Sequence, residues 1–242
     1  MIKKNLVGII ILTLLSIVLI ILCVLVFNRL TNDDAVEVDE YAYVILPKSE
    51  YAGQDYVDKL YFVGDSTTYH FFKCGIDRTH LLVPDSLTLK LDSSVCDVLV
   101  ANTDMTIPEA IAEYRAEFVI ITLGVNGADK FSEKEFKTYY NKLINAIRKL
   151  SPDTNIILQS AFPVEEWYSN TDNGISNAGI DRLNAWAKQI AYDQGIHYLD
   201  TQTVLKNNNG AMIESFSEGD GVHMNAEGYE VILDYIRSHR YK

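Results

Sequence analysis

Hydrophobic and polar positions follow two rhythms along most of this chain. Short apolar runs at 59–65 (KLYFVGD), 117–124 (EFVIITLG), 154–162 (TNIILQSAF) and 196–200 (IHYLD) have the length of strands. The second is apolar almost throughout, as in a strand covered on both faces. Elsewhere the period lengthens to that of a helix. In 132–150, Phe136, Tyr140, Leu143, Ile144 and Ile147 recur at three- and four-residue spacing with charges on the other face, and Pro152 follows as a stop. In 175–195, Ile180, Leu183, Ala187 and Ile190 form one stripe that ends at Gly195, a predicted C-cap. A helix over 225–239 closes the pattern. Strands alternating with helices predict a parallel, helix-covered α/β sheet, with its working face at the carboxyl ends of the strands.

The first 56 residues follow neither rhythm. Residues 5–27 (NLVGIIILTLLSIVLIILCVLVF) carry no charge and, at about 1.5 Å per residue, are long enough to cross a hydrocarbon core of ~30 Å. A cleaved signal has an apolar core of only about 7 to 15 residues and a small-residue cleavage site. Neither condition holds here, and Cys23 follows Leu22 where a lipoprotein signal needs a small residue. The run predicts an uncleaved anchor, dividing the chain into a cytoplasmic 1–4, a transmembrane helix 5–27, a polar, acidic stalk 28–56 and a folded domain 57–242. Lys3 and Lys4 precede the span and only Arg29 follows it closely, which favours a cytoplasmic N-terminus and an extracytoplasmic domain.

Composition adds limits. The 242 residues, 48% hydrophobic and 22% charged, suit one globular domain beside the apolar run. A formal charge of -12, with no Lys/Arg cluster past the extreme N-terminus, argues against a nucleic-acid partner. Cys74 and Cys96 allow either one disulfide or two free, buried thiols.

Three polar signals fall in loops that leave predicted strand ends. Ser66 follows the first strand, Asn126 follows the second in LGVNGAD, and Asp220 and His223 stand together in EGDGVHMN. A hydroxyl, a base, an acid to orient the base and an amide that can donate to an oxyanion are what serine hydrolysis needs. The three-residue spacing of Asp220 and His223 lets one turn set the carboxylate against Nδ1 and leave Nε2 facing the hydroxyl, and Gly219 and Gly221 permit the tight backbone. A serine at this position can equally be the N-cap of the following helix. His70, His80, His197 and His239 lack an acid at useful spacing and read as structural or solvated.

GDST at 64–67, GVNG at 124–127 and DGVH at 220–223 occur in the order of the first, third and fifth sequence blocks of the SGNH hydrolases, or GDSL-type esterases and lipases, and from about Lys59 to Ser238 the chain resembles that superfamily. The resemblance implies a flavodoxin-like three-layer α/β/α sandwich and no metal or cofactor. It also implies Ser66 as nucleophile, His223 as general base, Asp220 as its orienting acid, and the Ser66 N–H and Asn126 side chain as oxyanion donors, with Gly64, Asp65 and Gly124 in support. Two positions depart from the pattern. Gly127 stands where the third block usually ends in Asp. The second-block glycine, another oxyanion donor, has no counterpart, because Gly75 lies too near the nucleophile. Its role falls to a non-glycine backbone N–H in 83–89 (VPDSLTL) or 101–105 (ANTDM).

Substrates of such enzymes are esters. A domain tethered outside a membrane meets glycans and lipid headgroups, so deacylation of a surface or wall glycan is the expected activity. Trp167 and Tyr168, in the aromatic insert FPVEEWYSNTDNG (162–174), are candidates to line a sugar cleft or to pack on the surface. Lysophospholipid or thioester cleavage, acyl transfer to a sugar hydroxyl, and silent glycan binding are the alternatives.

Overall fold

The computed structural model describes residues 15–24 and 40–241. The chain divides after Glu40 into two units, Met1–Glu40 and Tyr41–Lys242. Of the apolar run expected to span a membrane, 15–24 are helical, and 5–14 and 25–27 lie outside the described residues, as do 1–4. Among the described residues no helix is long and apolar enough to cross a membrane.

In the second unit, strands β1 (Leu60–Gly64), β2 (Leu81–Leu82), β3 (Phe118–Thr122), β4 (Asn155–Gln159) and β5 (His197–Leu199) form one sheet in the order β2-β1-β3-β4-β5. All neighbours are parallel, the doubly wound order of flavodoxin-like folds. The main helices are α1 (Ser66–Tyr69), α2 (Ile107–Glu113), α3 (Glu133–Leu150), α4 (Asn177–Gln194) and α5 (Ala226–Ser238).

Alternation within β3 shows why its sequence is continuously apolar. Val119 and Ile121 face one core with Ile111, Phe136, Leu143, Ile147 and Leu183 from α2, α3 and α4. Phe118 and Ile120 face a second core with Phe71, Tyr229, Ile232 and Ile236. Both faces are therefore dry, and period-2 polarity disappears. Caps fix the helix ends, the one at Gly195 where the sequence predicts it. Ser132 and Glu135 form a capping box at the start of α3, and Gly195 ends α4 in the left-handed region at φ 61°.

The expected stalk ends earlier than residue 56. Residues 28–39 lie outside the described residues, but Val44 and Leu46 are buried, Ile45 bridges in parallel to Tyr198, and Ser49 and Ala52 N–H groups donate to the carbonyls of Ser238 and Arg237 at 2.7 and 2.8 Å. The acidic character of 28–40 had masked a short apolar edge that begins at Tyr41. β2, only two residues long, and α2 escaped sequence reading altogether. The two cysteines are free and pack against opposite cores, Cys74 with the second and Cys96 with the first, so the sheet separates them.

A chain beginning at Val57 should fold less stably than one beginning at Glu40 by about 3 kcal/mol, because it exposes the sites that Val44 and Leu46 cover. Equal urea midpoints for the two would show that 41–56 adds nothing to the domain.

Candidate active site

β1 ends at Gly64 and hands the chain directly to α1. Asp65, not Ser66, is the N-cap: its Oδ1 accepts from the Thr67 N–H at 3.0 Å and the Thr67 hydroxyl at 2.8 Å. Ser66 is thereby left free of capping. A Cβ on Gly64 would stand 1.8 Å from Thr68 Oγ1 and 2.8 Å from the Thr122 carbonyl, so only glycine lets α1 turn back so sharply over the strand.

Asp65 also faces β3. Its Oδ2 accepts from Asn126 Nδ2 at 2.9 Å, which joins the loops leaving two adjacent strands. Burial pushes the Asp65 carboxyl up from the ordinary carboxylate range, against the donors from Thr67 and Asn126 that favour the ion. Asn126 keeps its second Nδ2–H uncommitted by this bond.

The third loop closes the constellation. His223 Nε2 lies 2.9 Å from Ser66 Oγ, and His223 Nδ1 lies 2.7 Å from Asp220 Oδ2. A carboxylate only accepts, so Nδ1 carries the proton and Nε2 is left to accept from the serine hydroxyl. Asp220 Oδ1 accepts from the backbone N–H groups of Val222 and His223 at 2.9 and 2.8 Å. Burial raises the Asp220 carboxyl, but these N–H groups and the imidazole outweigh it and hold the carboxyl below its usual value.

The loop is backed by the aromatic insert. Glu165 N–H donates to the Gly221 carbonyl at 2.8 Å, and Ser217 Oγ donates to Glu165 Oε1. Gly221, at φ 90°, would set a Cβ 2.4 Å from Tyr168 Cδ2. Tyr168 is thus committed to packing on the Asp220–His223 turn instead of forming a sugar platform. Trp167, 52% exposed, lines a separate cleft of about 420 Å³ with Glu165, Glu166 and Glu214, and its Nε1 donates to Glu165 at 3.0 Å. Neither residue lines the cleft that contains Asn126. Among the described residues no cluster of His, Cys, Asp or Glu is arranged to hold a metal ion.

With the triad geometry in place, residues 62–231 match the GDSL-like Lipase/Acylhydrolase family. The chain belongs to that family. It is a serine ester hydrolase of the SGNH type. Its fold is similar to that of a candidate platelet activating factor from Streptococcus pneumoniae, with TM-score 0.54, 17% identity, and 76% of this chain and 84% of that one covered. It is likewise similar to a candidate acylhydrolase from Bacteroides fragilis, with TM-score 0.51, 20% identity, and 84% and 95% covered. No curated protein matches the sequence.

Two departures of this hydrolase from the family pattern have structural counterparts. Gly127 takes φ 97°, a left-handed conformation that an Asp adopts less readily. Of the two candidate stretches for the second-block donor, only the first reaches the cleft beside Asn126, and it does so through Thr88 alone, the rest of that wall lying just after it. Thr88, Lys90, Leu91 and Asp92 share with Asn126, Phe131 and Tyr139 a cleft of about 550 Å³. Within that stretch Leu87 has φ 53° and donates its N–H to the Pro84 carbonyl at 2.9 Å. Thr88 N–H goes to Ser86 Oγ at 3.3 Å. In the second stretch Ala101, Thr103 and Met105 N–H groups are likewise engaged.

One neighbour of His223 is not expected from the sequence. The His70 ring lies 4.6 Å from the His223 ring, tilted by 52°. Its position four residues after Ser66 was the available signal, since that spacing returns a side chain to the same side of a helix. Burial, aided by Lys73 and His223, lowers the His70 pKa from the usual 6.5 to about 4.

Replacing Gly221 by Ala should displace the turn against Tyr168 and lower kcat by on the order of 10²-fold, as a shift near 1 Å does at a reacting group; wild-type kcat in Gly221→Ala would refute this packing role. The folded state resists protonating His70, so its contribution to stability is present above about 6.5 and lost as pH falls toward about 4. Asp220, held low, acts in the same sense at more acid pH. Between those values the stability of His70→Phe should therefore fall less steeply on acidification than that of the wild type, and parallel slopes in urea unfolding would contradict the assignment.

Proposed function

We propose that this chain is a membrane-anchored, extracytoplasmic carbohydrate O-deacylase, acting through Ser66, His223 and Asp220. The relay from Asp220 Oδ2 through His223 to Ser66 Oγ, at 2.7 and 2.9 Å, carries the reading. Ser66 Oγ attacks the ester carbonyl carbon as its proton passes to His223 Nε2, and the carbonyl π pair moves onto oxygen. The Ser66 N–H and the second Nδ2–H of Asn126 receive that oxyanion. Collapse restores the C=O bond and breaks the bond to the alkoxy oxygen, which leaves as an alcohol with the proton from His223. Water then repeats the sequence on the acyl-serine, yielding the carboxylic acid and the free hydroxyl.

The cleft beside Asn126 favours a sugar ester over a long-chain lipid. Phe131 and Tyr139 offer ring faces, whereas Thr88, Lys90, Asp92 and Asn173 place hydrogen-bonding groups around them. A sugar has apolar ring faces and a polar rim, while an extended acyl chain gains little from such a lining. Anchoring rests on the uncharged run 5–27 and orientation on Lys3 and Lys4.

Turnover of p-nitrophenyl acetate by the full chain should vanish in Ser66→Ala and fall by about 10²- to 10³-fold in kcat in Asn126→Ala. Acetate release from an O-acetylated oligosaccharide should exceed turnover of a p-nitrophenyl ester of a long fatty acid. Equal turnover in Ser66→Ala would sink the mechanism, and preference for the long chain or for lysophospholipid would sink the carbohydrate reading.

A further inference from the structure

Around the proposed base, a second histidine and a lysine form a connected arrangement that the triad itself does not require. Lys73 Nζ lies 3.2 Å from His70 Nδ1, pairs with Glu218 and donates to the Met224 carbonyl at 3.3 Å. Glu218 N–H in turn donates to the His223 carbonyl at 3.0 Å. The segment that follows the nucleophile, 70–74, is thereby tied to the segment on both sides of the base, 218–224.

Ammonium has only donors, so His70 Nδ1 accepts and its proton sits on Nε2. The groups facing this ring are Lys73 and Tyr69 on its own segment, Glu218, Asp220 and His223 from the opposite loop, and Tyr229 from α5. Burial above all opposes protonation of His70; Lys73 and His223 act in the same direction, and Glu218 and Asp220 act against it. A neutral aromatic ring against an imidazolium is attractive, whereas a second imidazolium there is repulsive.

We propose that His70 is a positioning residue for the catalytic base: Lys73 holds its imidazole in place through Nδ1, and its ring supports His223 when His223 takes the proton from Ser66. The proposal rests on the hydrolase reading above and adds to it a second pair of residues. Because the imidazolium exists only after proton transfer, the support acts on kcat in preference to KM.

The test is the pH dependence of p-nitrophenyl acetate hydrolysis by the full chain and its variants, with thermal unfolding measured alongside. His70→Ala should lower kcat by about five- to thirtyfold with little change in KM, and His70→Phe, which keeps a neutral ring, should recover most of that loss. Lys73→Met should release His70 to titrate, so that kcat/KM falls on acidification at higher pH than in the wild type. This added acid limb should disappear in Lys73→Met/His70→Phe. Wild-type kcat in His70→Ala would overturn the proposal. Equal impairment of His70→Ala and His70→Phe, or an acid limb shared by Lys73→Met and the double variant, would overturn it as well, leaving only a structural clamp. If the wild type itself shows no Ser66-dependent turnover, it is the hydrolase reading that fails; Ser66-dependent turnover indifferent to His70 fails this inference alone.

Discussion

Asp65 is the group on which the site depends. It is 1% exposed, and it accepts from the first turn of α1 and from the side chain of Asn126. One carboxylate thus caps the helix that carries Ser66 and orients the amide proposed for the oxyanion. Removing such an acceptor would leave several buried donors unpaired at once. The strand register makes the bond possible, because Gly64 lies opposite Thr122 and the loops leaving β1 and β3 therefore emerge side by side.

The other half of the triad has no strand to hold it. Asp220 and His223 share a turn, with His223 lying 157 residues from Ser66 in sequence, and their placement depends on lateral contacts. On one side Glu165 and Tyr168 fit against Gly221 and Ser217. On the other, Lys73 reaches Glu218 and Met224. A turn held from both sides keeps Nε2 in reach of Ser66 Oγ without a regular ladder, which is the preorganisation that proton transfer in a relay requires.

The sequence made the sheet legible because β1, β3, β4 and β5 are short, nearly continuous apolar runs, and the long amphipathic helices α3 and α4 that separate the last three have clear stripes. It made Ser66, Asn126, Asp220 and His223 legible because glycines mark the sharp turns beside them. Other features left no local signal. β2 gains its pairing from β1 and is too short to show a period. The boundary at Tyr41 depends on Ile45 and Leu46 meeting β5, and on Ser49 and Ala52 meeting the end of α5, contacts invisible along the chain. His70 was set aside because its partners, Lys73 apart, come from residues 218–229. For Tyr168 the sequence leaves both a sugar cleft and surface packing open, because an aromatic insert advertises surface area without saying what it covers.

The segment 83–106 explains why the remaining family block could not be found as a motif. Its one bridge, Leu99 to Thr106, is internal; it is held to the domain by Lys142, which donates to the Ser93 carbonyl, and by Leu89, Leu91, Val95 and Val100, each no more than 4% exposed. Apolar anchors fix such a wall while allowing the backbone between them to take uncommon conformations, as at Leu87 and Asn102 with φ of 53° and 58°. A left-handed leucine costs roughly 1–2 kcal/mol, and it persists where packing over-determines it. A glycine would meet the same conformational need with no strain. Ser66 and Asn126 therefore stand on strand ends and Asp220 and His223 on a buttressed turn, where motifs are short, while the cleft wall beside them is specified by buried side chains scattered among polar ones.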